Sequence, residues 1–298
     1  MAGPRIVCIG GGHGLSAALT AVREITEDVT AVVTAADDGG SSGVLRDWLG
    51  IPAPGDIRMA IASLAGDSER AALLQYRFRE GDLAGHPLGN LLIAALADLR
   101  GDFVDAVDEV SRIAGARGRV LPATSTPVRL RAVIGGREIA GQVAIAQGPG
   151  PVERLYLDPA DPPATEAAVE AIEDSTLTVL GPGSLFTSVL AAVLVPGIAA
   201  AVQGAPRVAL VLNIAQQMGE TAGLDAAAHV RALLEHVPGL RLDAVLAHDG
   251  PAPGVSRPVA IDEKAFAALR APLVRADLIA GGARHDPHKL AAALKGLL

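Results

Sequence analysis

The stretch "RIVCIGGGHGLSAALTAV", residues 5–22, decides how the rest of the chain is read. Arg5 to Ile9 is a short apolar run with the length of a strand, and Leu15 to Glu24 carries apolar residues at helical spacing. Between them lie Gly10, Gly11, Gly12, His13 and Gly14. Gly12-His13-Gly14-Leu15-Ser16-Ala17 fits G-x-G-x-x-G/A in its required place between strand and helix. Glycines let the backbone turn sharply and approach a ligand. The helix start then offers free N–H groups and a positive dipole end to phosphate. The loop is not a Walker loop, because no Gly-Lys-Ser/Thr follows. The competing reading is a tight turn that merely packs the helix.

The same strand-loop-helix alternation recurs along the chain. Val29–Val33, Leu177–Leu180, Arg207–Leu212, Leu242–Ala247 and Leu273–Ile279 read as further strands. Ile57–Leu64, Glu69–Phe78, Leu88–Leu99, Phe103–Ala114 and Leu224–His236 read as helices. Residues 120–158 differ. "PVRLRAVIGGREIAGQVAIA" alternates apolar and polar residues about Gly135-Gly136, a hairpin signal, and "VERLYLD" adds a third strand. The fold expected is α/β: one domain over residues 1–298, with a Rossmann-like wound, mostly parallel sheet and helices on both faces. A small antiparallel β elaboration occupies about residues 120–158.

Composition fits that fold. Half of the 298 residues are hydrophobic but only 2% are aromatic, so Ala, Val, Leu and Gly do most of the packing. The net charge of -8 and the absence of a Lys/Arg run argue against nucleic acid as a partner. The single cysteine, Cys8, excludes an intrachain disulfide and fits a reducing compartment. The chain enters a strand at once, without a basic-then-apolar leader, which points to a cytoplasmic location. "LFTSVLAAVLVPGIAAAVQ", residues 185–203, approaches the length of a membrane span. Pro196-Gly197 interrupts it, so a buried helix broken by a turn is expected.

Candidate chemistry collects at the strand ends. "TAADDGGSSG", residues 34–43, places Asp37 and Asp38 before Gly39, Gly40 and Ser41. One acid after the second strand suffices for ribose hydroxyls. A pair allows one carboxylate to hold hydroxyls and the other a divalent cation such as Mg²⁺, which would remove the repulsion of phosphate. Capping of a following turn is the alternative for either one. No cofactor is certain from the sequence; Mg²⁺ is the candidate.

In "PGDIR", residues 54–58, Asp56 reads as a helix N-cap, with Arg58 in the first turn. Arg58 and Arg46 are candidates for phosphate neutralisation, against the reading of surface salt bridges. "GHPLGN" puts His86 and Asn90 around a helix start, with Asn90 suited to a base edge or a sugar hydroxyl. "GPGSLFTS" repeats the glycine-loop idea with Gly181, Gly183, Ser184 and Thr187, and "NIAQQMGET" offers Asn213, Gln217 and Glu220. Two phosphate-friendly loops point to one cleft at the carboxyl edge of the sheet. "HDPHK", residues 285–289, reads as Asp286 at N-cap and Pro287 at N1, not as a metal site.

Taken together, "GGGHGLS", "DDGGSSGVLR", "PGDIR", "GHPLGNLL", "GPGSLFTS" and "NIAQQMGET" resemble, in order, the motifs of the YvcK (GlmR-like) family, a branch of the CofD-like superfamily. The resemblance covers roughly residues 5–290. It implies a Rossmann-like fold and a cytoplasmic bacterial protein that binds UDP-sugars, notably UDP-N-acetylglucosamine. It further implies control of carbon flux into cell-envelope precursors and of growth on gluconeogenic carbon. The CofD branch instead transfers a phospholactyl group with a divalent metal. A sugar-1-phosphate uridylyltransferase is a further enzymatic alternative, and an NAD(P)-linked oxidoreductase a weaker one. A protein partner in amino-sugar or cell-wall synthesis and a homodimer are the macromolecular candidates. The chain departs from the family pattern at His13, Met59 and Phe186, and in reading "NIAQQMGET".

Overall fold

The computed structural model describes residues 3–66, 68–269 and 271–298. Its strands are β1 (Ile6–Gly10), β2 (Val29–Val33), β3 (Arg119–Pro122), β4 (Arg129–Ile134), β5 (Arg137–Ala140) and β6 (Arg154–Asp158). They continue with β7 (Leu177–Leu180), β8 (Val208–Val211), β9 (Ala244–His248), β10 (Leu273–Ala276), β11 (Ile279–Gly281) and β12 (Arg284–His285). Seven of them form one sheet in the order β10-β9-β8-β7-β1-β2-β3, every adjacent pair parallel. The second sheet, β5-β4-β6, is antiparallel, as is the small β11-β12 pair.

Burial on both faces explains why the central strands read as unbroken apolar runs. Every residue of β1 is buried. Its side chains alternate between the two cores: Val7 and Ile9 join the cluster on one face, Ile6 and Cys8 that on the other. A parallel strand flanked by helices has no wet side to mark with polar residues.

Several boundaries differ from the sequence reading. β3 belongs to the edge of the large sheet, paired with β2, so the antiparallel part begins at Arg129 rather than near residue 120. The helix expected over Glu69–Phe78 ends at Gln75. Tyr76 to Pro87 then folds into a loop closed by a bridge between Arg77 and Pro87. A helix covers Gly40–Leu49, where Gly and Ser had suggested only loop. Tertiary contact overrides their weak propensity: Leu45 is buried, and Gly43 lies so close to Asp38 that a Cβ would stand 2.3 Å from its carbonyl oxygen.

Residues 185–204 form two helical pieces meeting at 85°. Among the described residues, no single helix is long and apolar enough to cross a membrane. Leu185, Phe186, Val189, Leu190, Ile198 and Val202 are buried, as expected of a broken core helix.

Candidate functional site

The chain order fixes where a cleft opens. From β1 the sheet grows through β2 and β3 to one side, and from β7 through β8, β9 and β10 to the other. The reversal lies between β1 and β7, the position at which ligands settle in wound sheets. The loops leaving those two strands are the two glycine loops. They touch: a Cβ on Gly14 would stand 2.3 Å from the Pro182 carbonyl oxygen and 2.6 Å from the Gly183 Cα. Glycine at position 14 is therefore required by loop-on-loop packing. Gly12 has φ +61° and Gly183 φ +142°, both conformations that favour glycine.

Asn213, at the end of β8, fastens the second loop. Its Oδ1 accepts from the Gly183 N–H at 3.1 Å, and its Nδ2 donates to the Gly183 carbonyl at 2.8 Å. Both ends of the amide are thus engaged with backbone. Asn213, one of the polar candidates of "NIAQQMGET", holds a loop in place.

The two helix starts expected to face phosphate are each filled from within. At the second loop, the hydroxyls of Ser184 and Thr187 both donate to the buried carboxylate of Glu220, Thr187 at 2.7 Å. The Thr187 N–H points at the same carboxylate at 3.4 Å. At the first loop the anion is Asp56. A Cβ on Gly11 would stand 2.2 Å from Asp56 Oδ2, and the Gly12 N–H hydrogen-bonds that carboxyl. Asp56 is not the N-cap: Pro54 holds that place in the helix Gly55–Ala65. Its side chain turns instead across to the first loop, while the preceding Gly55 admits Ser42 Oγ and Asp37 Oδ2 at 2.2 and 2.6 Å from where a Cβ would stand. Burial, then the neighbouring Asp37 charge, pushes the Asp56 carboxyl up to about 7, against the pull of the Gly12 N–H and Arg58.

The acid pair of the second loop divides. Asp38 accepts from the backbone N–H groups of Gln142 and Val143, at 2.9 and 3.0 Å, and so clips the antiparallel sheet's short helix to the main body. That is not the capping of a following turn considered for either acid: Asp38 reaches a helix start more than 100 residues on. Asp37 accepts from the Gly39 N–H at 2.9 Å and keeps its other oxygen beside Gly55 and Asp56. The acid partner of Asp37 is therefore Asp56, not Asp38. Among the described residues, no three His, Cys, Asp or Glu side chains form a metal-binding group. A cation at Asp37 and Asp56 would take its remaining ligands from phosphate and water, as Mg²⁺ commonly does.

Around that pair lie the polar groups of Ser41, Arg58, His86 and Asn90. Ser41 Oγ meets His86 Nδ1 at 2.9 Å and accepts from Asn90 Nδ2 at 3.2 Å. Asn90 is 2% exposed and its Oδ1 has no partner. Arg58 is 6% exposed, its Nε has no partner, and its stem lies over Gly89. Arg77, on the loop after Gln75, faces Arg58 closely enough that the two like charges oppose each other. Burial, then this repulsion, lowers the Arg58 pKa. Arg77 was passed over in the sequence, although "YRFRE" alternates bases and aromatics as a ligand-facing loop can.

Two candidates lie elsewhere. Arg46 sits in the last turn of the helix Gly40–Leu49. It lines a separate cavity of about 380 Å³ with Asp47, Pro127, Val128, Arg129 and Asp158, and its Nε donates to Asp47 at 3.1 Å. It is not among the groups around Asp37 and Asp56. His13 is exposed at the first helix turn. Two further expectations concern the last helix: Asp286 caps it through the N–H groups of His288 and Lys289, and Pro287 lies inside its first turn.

Comparison with known proteins places this architecture. The family model described as 2-phospho-L-lactate transferase CofD matches residues 6–279. A Mycobacterium leprae protein is 47% identical over 99% of this chain and 86% of its own length. The Bacillus subtilis protein named gluconeogenesis factor is 39% identical, covering 99% of this chain and 98% of that protein. A crystal structure of a member of the UPF0052 family from Bacillus halodurans superposes with a TM-score of 0.92 at 35% identity, covering 99% of both chains.

Proposed function

The chain belongs to the CofD family, within its gluconeogenesis-factor (YvcK) branch, and on that premise we propose that it binds a nucleotide sugar of the UDP-N-acetylglucosamine type in the cleft between β1, β2 and β7. In this reading it acts as a cytoplasmic regulator of carbon flux into cell-envelope precursors. One observation carries the proposal: buried Arg58 and Asn90 keep polar atoms without partners beside the strand ends, in a cleft that otherwise satisfies itself. A buried, partnerless guanidinium nitrogen costs free energy unless a ligand supplies the acceptor. The orphaned Asn90 oxygen asks for a donor, as a sugar hydroxyl or acetamido N–H provides.

The residues of the cleft divide by chemistry. The two glycine loops hold one another and form its floor. Asp37 is left to accept from ribose hydroxyls or to hold a divalent cation together with Asp56. Arg58 opposes the diphosphate charge. A protein partner in amino-sugar or cell-wall synthesis is part of the proposal, since a sensor must report to something.

The Asp37–Asp56 pair favours a second reading, a metal-dependent transferase of the CofD type or a sugar-1-phosphate uridylyltransferase. When bound, Mg²⁺ supplies charge neutralisation and orientation of a diphosphate. The chain's own part would be to hold that cation on Asp37 and Asp56 and to oppose the diphosphate charge with Arg58.

Calorimetric titration with UDP-N-acetylglucosamine, UDP-glucose and GDP, with and without Mg²⁺, followed by nucleotide analysis, tests both. Tight UDP-sugar binding with the ligand recovered intact supports the regulator. Metal-dependent consumption of the ligand supports the transferase. No binding to any of the three overturns the nucleotide-sugar reading.

A further inference from the structure

Both glycine-loop helix starts already hold a carboxylate, Asp56 at one and Glu220 at the other. A phosphoryl group arriving there would meet a carboxyl group already bonded to the loop amides, whereas at the helix Gly40–Leu49 the carboxylate of Asp37 takes only the Gly39 N–H. A third helix start borders the same cleft and holds no side-chain cap: that of the ten-residue helix Gly40–Leu49. The Ser42 and Gly43 N–H groups turn back to the Gly39 carbonyl, while those of Gly40 and Ser41 belong to the first turn, which has no intrahelical acceptor. Gly40 is exposed, takes φ +45°, and has open space where a side chain would stand.

A second observation is independent of the helix. Arg58 is 94% buried by its 6% exposure, carries a partnerless Nε, and rests on Gly89, whose neighbour Asn90 donates to Ser41 Oγ. It therefore opens on the same corner as the helix start. Arg77 repels it from the exposed loop, and neither guanidinium has a carboxylate within salt-bridge distance among the described residues. The Asp56 and Asp37 charges act on Arg58 from farther off, and Arg77 donates to the Gly85 carbonyl; an anion between the two guanidiniums would relieve their repulsion directly.

We propose that the seat of the ligand's phosphoryl group is the start of the helix Gly40–Leu49, on the Gly40 and Ser41 amides, with Arg58 and Arg77 as its counter-charges, and not either glycine loop. The identity of the ligand rests on the nucleotide-sugar reading; the seat does not. The seat takes a diphosphate or phosphomonoester dianion. The amides fix the oxygens, Arg58 binds from beneath and Arg77 closes from the loop side. Asp37, at the rim, sets the position a bridging cation would take.

Inorganic pyrophosphate and tungstate are the probes. In calorimetric titration of the whole chain, pyrophosphate affinity is expected to fall about tenfold or more in Arg77→Gln and in Arg58→Gln, the loss typical of one charge-assisted hydrogen bond. Arg77 is exposed, so its variant keeps the fold even if the buried Arg58 variant does not. In tungstate-soaked crystals the anomalous peak is expected within hydrogen-bond distance of the Gly40 and Ser41 amides. Unchanged affinity in Arg77→Gln overturns the proposal. A peak at Gly12 or Gly183, or no peak and no pyrophosphate binding, overturns it too. Pyrophosphate binding without UDP-sugar binding would retain the seat and remove the nucleotide-sugar reading.

Discussion

Thr187 donates its hydroxyl hydrogen to Glu220 Oε1 at 2.7 Å, while Glu220 Oε2 receives the Ser184 hydroxyl, so one carboxylate buried to 2% exposure closes the second glycine loop. The loop is ordered by an internal anion before any ligand arrives. Glu220→Ala would take the charged acceptor from the Ser184 and Thr187 hydroxyls, leaving them only each other at 2.6 Å, and the Thr187 N–H only Ser184 Oγ at 3.2 Å. It should cost about 3 kcal/mol, against about 1 kcal/mol for Glu220→Gln, which keeps one oxygen. Urea unfolding of the three proteins checks this; equal stability of all three would mean that the carboxylate is not what orders the loop.

Asp56 makes stability depend on pH. Its folded value, about 7, lies above its ordinary 3.8, so the folded state holds the proton more tightly than the unfolded chain. The stability it contributes is complete below about pH 4 and is lost as pH rises through about 7. Asp56→Asn has no proton to lose, so it should gain on the parent across that interval, by at most about 4 kcal/mol. His285, buried and pushed down to about 4, acts oppositely over part of the range, but equally in both proteins. The difference in stability between variant and parent, measured from pH 4 to 8 with chelator present, isolates Asp56. A difference that does not change with pH would place the Asp56 titration elsewhere.

Gly14→Ala tests the contact between the two loops. The added Cβ would stand 2.3 Å from the Pro182 carbonyl oxygen, which is backbone and cannot swing away. The expected loss is about 1–3 kcal/mol, as for other overpacked sites. Gly12→Ala meets open space and suffers only from its φ of +61°. Thermal unfolding of both variants should therefore show the cost at position 14 even though its φ is ordinary.

Cys8 is fully buried and its thiol is pushed up to about 12, so almost no thiolate forms near neutral pH. A thiol reagent should react only as fast as the sheet opens, and stoichiometrically once the chain is unfolded. Rapid labelling of the folded protein would contradict the placement of β1 at the sheet centre.

The sequence made the large sheet legible because a strand buried on both faces leaves an unbroken apolar run, and the cleft because glycine clusters follow such runs. It did not make Asp56 legible. A helix-capping acid and one that reaches across to another loop look alike in sequence, since the partner, Gly12, is distant along the chain. Asn213 and Glu220 were hidden for the same reason: polar residues at a strand end can face a ligand or fasten a neighbouring loop, and only packing decides. The helix Gly40–Leu49 was missed because Gly39, Gly40, Ser41 and Ser42 carry weak helical preference of their own. Arg46 shares a helix with Ser41, but its position in the last turn carries it away from Ser41, at the first.

The place of β1 in the sheet also sets a timetable. Ile6 pairs with Val29 on one side and with Leu177 on the other. On a ribosome making about 5–20 residues per second, the second neighbour emerges roughly 7–30 s after the first. Through that interval a strand buried at every residue in the finished fold has one hydrogen-bonding edge bare, the condition under which nascent chains stick to one another. The newborn first half is thus the vulnerable stage of this protein's life, and a chaperone that shields an open strand edge is of most use to it there.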